Sequence, residues 1–285
     1  EDAARRGRVL DSLAITHYYA GDYAQAADLA RQRLRLAELA GNQEGIGFAL
    51  NFLGSCAKAE GRYAEARAHF QVAAEHCMQR HDEIGAAMVF NNLGNLLQAT
   101  GDWLGAQRYY QQSGELFKAH DHMHGAATTL ANAGRLAGKL GSHQEARALL
   151  LESLALKRQI GDARGEAVSL AGLGEVALAA GAYAEARTYL QHAADLAHQA
   201  GDLKQMLEIA VAFAGLHIKL GQADAAVRLL HFTLHHPGTS QEARQAGEAL
   251  AGDLAYDWRA ASPPAPGIPL DDPSSLLALL HPPNP

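Results

Sequence analysis

Asn91, Asn92, Asn95 and Gln98 crowd one short stretch, FNNLGNLLQATGDW (90–103). A carboxamide carries both donors and an acceptor, so a row of them can pair with the backbone of another chain whatever its side chains. That is recognition chemistry, and it explains why a leucine-rich helix would carry a residue that forms helices poorly. A second cluster, HDHMH (120–124), offers His120, His122 and His124 beside Asp121 and Met123, which are ligand types for zinc, nickel or copper. On an interrepeat loop such a set is poorly preorganised and reads as solvated polar side chains, so no metal is assigned. Cys56 and Cys77 are expected to be buried, reduced thiols. In an antiparallel hairpin turning near residue 61, Cys77 lies about ten residues, or about 15 Å, beyond the point facing Cys56, and a disulfide needs Cα atoms within about 7 Å.

No P-loop, HExxH, GxSxG or paired-cysteine metal motif occurs in the 285 residues, and Gly45-Ile46-Gly47 is only a fragment of a dinucleotide fingerprint. The expectation is therefore a non-enzymatic protein without cofactor. A net charge of −7 and a pI near 6.1 argue against a phosphate-coating nucleic-acid binder. The longest apolar runs fall short of a membrane span, and the start lacks the layout of a signal peptide. Two cysteines make no disulfide framework and suit a reducing, cytoplasmic setting. Beginning at Glu1 rather than at methionine, the chain reads as a piece of a longer protein.

The elements that must position the amides are set out by a repeat. Gly21, Gly61, Gly101, Gly141, Gly181 and Gly221 are spaced by 40 residues, and alanine follows five positions later each time, from Ala26 to Ala226. Gly45, Gly85, Gly125 and Gly165 keep the same period, which lapses at Gln205. Between these markers apolar residues recur at three and four, so each unit is two helices. Glycine caps the first helix, and a short turn makes the hairpin antiparallel. Small residues (Gly54, Gly94, Gly134, Gly174, Ala214) alternate with large ones (Phe70, Tyr110, Leu150, Leu190, Leu230), as interlocking hairpins require.

The order of Leu-Gly, Gly, Tyr, Ala and Phe or Leu, plainest in FNNLGNLLQATGDWLGAQRYY and AGLGEVALAAGAYAEARTYL, resembles the tetratricopeptide repeat. The period of 40 departs from the usual 34 and is similar to the long-helix repeats of kinesin light chains, LGN-type polarity adaptors and the sensor arms of bacterial STAND-type regulators. The resemblance implies an all-α fold: an α-solenoid with a right-handed superhelix of six antiparallel helical hairpins, with a C-terminal helix and tail. The repeats fall at about 1–40, 41–80, 81–120, 121–160, 161–200 and 201–240, with a capping helix over 241–259 and a proline-rich tail over 261–285 that carries a short apolar segment.

At about 100° per residue, Met88, Asn91, Asn92, Asn95 and Gln98 share one arc of the first helix of the third unit, while Leu93 and Leu97 fall outside it. Equivalent positions hold Phe48, Asn51, Phe52, Ser55 and Lys58 in the second unit, and Thr128, Asn132, Arg135 and Lys139 in the fourth. In the first they hold Arg8, Asp11, Tyr18 and Tyr19. By resemblance this stripe lines the concave surface, where family members use Asn, Lys and Arg to hold a peptide. The expected function is a scaffold or adaptor binding a segment of a partner in that groove. With Arg8, Lys58, Arg135 and Lys139 against Asp11, the stripe suits an acidic partner or one with a free carboxylate. Two other readings stand beside this one. The asparagines tie neighbouring hairpins together, or the chain is the ligand-sensing arm of a STAND-type regulator.

In units five and six the stripe turns apolar, with Val168, Ala171, Gly172, Leu178, Val211, Ala212 and Ile218 broken by Glu175, Glu208 and Lys219. Leu276, Leu277, Leu279 and Leu280 of the tail are expected to dock there, in their own molecule or, by self-association, in a neighbour's. The stretch AASPPAPGIPLDD (260–272) is expected to be non-helical.

Overall fold

The computed structural model describes residues 2–257 and 273–280, and every described element is helical. The proline-rich stretch 260–272 lies outside the described residues. The chain divides into two compact units, Glu1–Leu136 and Ala137–Pro285.

The first unit holds α1 (Asp2–Tyr19), α2 (Tyr23–Leu39), α3 (Gln43–Ala59), α4 (Tyr63–Gln79), α5 (Glu83–Ala99), α6 (Trp103–Ala119) and most of α7 (Met123–Lys139). From α1 to α6 each helix packs on its successor, and the first helices α3 and α5 also meet. Small-to-large interlocking is visible atom by atom. A methyl group placed on Gly54 would stand 2.5 Å from the Phe70 ring, and one on Gly94 would stand 2.6 Å from the Tyr110 ring. Both rings are buried.

The second unit holds α8 (His143–Gln159), α9 (Ala163–Ala179), α10 (Tyr183–Gln199), α11 (Leu203–Lys219), α12 (Ala223–His235), α13 (Gln241–Asp253) and α14 (Pro273–Leu280). Successive packing runs from α8 to α13. Helix α12 has 13 residues where the earlier second helices have 17, because Pro237 forces His236 into extended backbone (φ −72°, ψ 127°). Helix α13 stops at Asp253, short of the expected 259, where Ala255 turns left-handed (φ 52°) and the Tyr256 amide bonds the Ala251 carbonyl at 2.8 Å. In α14, Leu276 and Leu280 are fully buried, and the helix packs on α10, α11 and α12.

The inter-helix turns up to Gly221 share a left-handed residue, and five of them add an aspartate cap. Asp22, Asp82, Asp102, Asp162 and Asp202 each accept from the third amide of the helix they precede, a cap worth about 1 kcal/mol. In the turns between units the left-handed residue is Gly41, Gly161 and Gly201, but His81 (φ 55°) and Asp121 (φ 52°) in the same column. Side chains strain there. His81→Gly is expected to raise stability by about 1 kcal/mol, seen as a higher thermal unfolding midpoint; an unchanged or lower midpoint would contradict this account of the turn.

Cys56 and Cys77 are free and buried, and burial pushes the Cys56 thiol up to about 12 and raises Cys77 as well. Thiols held so far from ionisation are poor nucleophiles.

Candidate functional site

The amide stripe of the first unit forms a hydrogen-bonded ladder across its first helices. Asn92 Nδ2 on α5 donates to Asn51 Oδ1 on α3 at 2.9 Å, and Asn132 Nδ2 on α7 donates to Asn91 Oδ1 on α5 at 2.9 Å. Each pair is separated by 41 residues, one more than the period, so each rung runs diagonally between neighbouring repeats. The Tyr110 hydroxyl donates to Asn95 Oδ1 at 2.8 Å and lies 3.3 Å from Gln98 Oε1. Asn91 is buried, whereas Asn51, Asn92, Asn95, Gln98 and Asn132 are half-buried. The asparagines thus tie hairpins together. Among the described residues these bonds engage one end of each amide: the oxygen of Asn51, Asn91 and Asn95, and the nitrogen of Asn92 and Asn132. Ser55 turns its hydroxyl back to the Asn51 carbonyl at 3.1 Å.

Beside the ladder the face is aromatic. Tyr18 of α1 reaches Phe52 of α3 at 5.6 Å between ring centroids, and Phe52 stacks on Phe48 at 6.1 Å. Phe48 is 38% exposed and Met88, one repeat on, is 40% exposed. Lys58 and Arg135 are half-buried on the same helices, and Arg8 is exposed. Lys139 is exposed and falls in the second unit.

Asp11 has a structural partner. Arg33 of α2, 8% exposed, reaches its carboxylate at 3.1 Å. A methyl group on Gly7 or Gly45 would strike the guanidinium, at 3.1 Å and 2.4 Å respectively. Burial outweighs the arginine and raises the Asp11 pKa above its usual value. A comparable pair in the second unit joins buried Lys157 to the capping Asp162 at 2.9 Å, with Gly165 making room for the lysine stem. The sequence reading missed both pairs. Their signal is a charged residue in a column otherwise held by small or apolar ones, Ala73, Ser113, Ser153 and Ala193 for Arg33, and Cys77, Phe117 and Ala197 for Lys157.

The histidine cluster spans the turn between α6 and α7 and the first residues of α7. His122 Nδ1 accepts from the Gly125 amide at 3.0 Å and so caps α7, with its ring 5.1 Å from Phe117. His120 Nε2 meets Glu83 at 2.7 Å, and His124 already lies within α7. Among the described residues no group of three or more His, Cys, Asp or Glu is placed to hold a metal ion.

In the second unit, Ala171, Gly172 and Val211 of the apolar stripe are buried and Val168, Leu178, Ala212 and Ile218 half-buried. The principal neighbours of α14 are α10, α11 and α12, two of them second helices, whereas the expected dock was the first-helix stripe of α9 and α11.

The family model described as tetratricopeptide repeat matches residues 45–119 and 85–159. Residues 45–159 are tetratricopeptide repeats. No curated protein matches the chain in sequence. Among solved structures, a Rap conjugation gene regulator of the plasmid pLS20 in complex with the Phr* peptide is 13% identical, over 89% of this chain and 66% of that one, with a TM-score of 0.66. A Rap protein complexed with competence and sporulation factor is 15% identical over 86% and 78%, with a TM-score of 0.60. BtubC (BKLC) from P. vanneervenii is 14% identical over 82% and 91%, with a TM-score of 0.54. At these identities the likeness is one of fold. The tetratricopeptide hairpins here run to 40 residues, with 17-residue helices joined by short left-handed turns.

Proposed function

We propose that the first-helix face of the first unit captures a short segment of a partner protein, and that its role is binding rather than catalysis. The observation that carries this is a continuous face on which Phe48 and Met88 stay exposed beside amides already held in place by the ladder. Preorganised groups lose little freedom on binding. Asn51 and Asn95, bonded through their oxygens, keep their NH₂ donors for the carbonyls of an extended peptide. Lys58, Arg135 and Arg8 add positive charge to the face, which favours an acidic segment or a free C-terminal carboxylate. The tetratricopeptide fold and the two peptide- or factor-bound Rap structures of similar fold support the reading.

The test is a selection from a random peptide library with free C-termini, followed by fluorescence anisotropy on the selected peptide. Phe48→Ala with Met88→Ala is expected to weaken binding at least tenfold, about 1.4 kcal/mol, with helicity unchanged. Raising the salt concentration should weaken it further. Binding indifferent to both would reject the assignment.

A further inference from the structure

The repeat supplies its own control for what covers the second unit. On second helices, the outer positions Gln71, Gln111 and Leu151 are exposed, but Gln191 of α10 and His231 of α12 are half-buried. Glu75, Glu115 and Ala155 are exposed, but Asp195 and His235 are half-buried. Met78, Lys118 and Arg158 are exposed, whereas His198 is half-buried. Something lies on α10 and α12 that does not lie on α4, α6 or α8. Tyr256, bonded to His231, accounts for part of the cover on α12. Helix α13 also packs on α12, and on α10 the added neighbour among the described elements is α14, which packs on α10, α11 and α12 and buries Leu276 and Leu280, one helical turn apart.

We propose that this outer face is a second docking site, for a short helix bearing leucines at i and i+4, and that α14 of the same chain is its resting, displaceable occupant. Three features argue for displacement. An eight-residue helix is unstable by itself, so its order depends on docking. Two buried leucines are a small hydrophobic gain to set against the entropy lost in ordering eight residues, so α14 is held weakly. The outer positions that lose exposure here, Gln191, Asp195, His198 and His235, are polar and can stand in water when uncovered, as their counterparts do elsewhere in the repeat. Leucines spaced i, i+4 in a groove are the helix-in-groove mode of recognition. The fifteen residues 258–272 between Tyr256–Asp257 and α14 are long enough to tether a released helix. This site lies wholly in the second unit and stands independently of the first-helix reading.

The probe is a fluorescein-labelled synthetic peptide of residues 271–283, titrated by anisotropy onto full chains. The chain carrying Leu276→Asp and Leu280→Asp is expected to bind it at least tenfold more tightly than the unaltered chain, whose own α14 competes. Adding Val227→Glu on α12, half-buried where Arg67, Gln107 and Arg147 of the same column are exposed, should abolish that gain, whereas adding Phe48→Ala and Met88→Ala should not change it. Equal binding to the altered and unaltered chains, binding to neither, or loss with the Phe48 and Met88 pair would overturn the proposal. Hydrogen exchange on the unaltered chain gives an independent check that needs no variant. The α14 amides should exchange far faster than those of α11, and equal protection would make α14 a fixed part of the core and sink the idea.

Discussion

Gly94→Leu is expected to cost about 3 kcal/mol or more, because its side chain must enter space held by the Tyr110 ring, which already stands 2.6 Å from where a Cβ would sit. Overpacking a core costs about 1–3 kcal/mol. Here it also displaces a buried hydroxyl from Asn95, which adds about 1–3 kcal/mol. The repeat suggests the remedy. In the sixth hairpin the same two positions are Ala214 and Leu230, and both are fully buried. The double substitution Gly94→Ala with Tyr110→Leu should therefore be more stable than the sum of the two single changes implies. Equilibrium urea unfolding of the four proteins closes the cycle. A coupling energy near zero would mean that the small and large columns are not packed against each other as described.

Asp11→Ala should be nearly as damaging, by about 3 kcal/mol, since it leaves the Arg33 charge buried between Gly7 and Gly45 without its carboxylate. Asp11 keeps some exposure, with 23% of its side chain accessible, so solvent screening holds the figure at the low end of the range for buried pairs. Arg33→Met should be far milder, because the methionine follows the stem of the arginine and removes the charge with it. This asymmetry separates a buried ion pair from a binding-face acid. A groove residue would instead leave stability unchanged when replaced. The raised Asp11 pKa points the same way: burial disfavours its charged form more than Arg33 favours it, so the pair specifies a position more than it stabilises one.

The hairpins were legible because their causes are local and periodic. Gly21 through Gly221 mark the left-handed turn, Asp102 and Asp162 the caps, and Gly54 with Phe70 the interlock, all at fixed offsets that survive without any knowledge of packing. The amide ladder was half legible. Helical angles put Asn91, Asn92 and Asn95 on one arc, but whether an amide faces solvent or its neighbour depends on the stagger between adjacent first helices. Only the spacing of 41 between Asn51 and Asn92, and between Asn91 and Asn132, hints at the diagonal rung. Arg33 and Lys157 were passed over because helical periodicity scores a charged residue as surface, and their cover comes from glycines on other helices. The place of α14 was legible only as far as units five and six: the expected first-helix stripe shares α11 with the observed neighbours, but not α10 and α12. Its leucines announce an apolar face, but the repeat that locates everything else stops before it.

Under the proposed function, the first-helix face of the first unit takes the partner segment and the second-helix face does not. A selected peptide carrying a photo-crosslinker at its centre tests this most directly, with the attachment sites mapped by mass spectrometry. Exposed apolar residues are available on both faces, Phe48 and Met88 on α3 and α5, and Val72 and Leu104 on α4 and α6. The account predicts crosslinks at Phe48, Met88 and Lys58. Crosslinks concentrated at Val72 and Leu104 would contradict it.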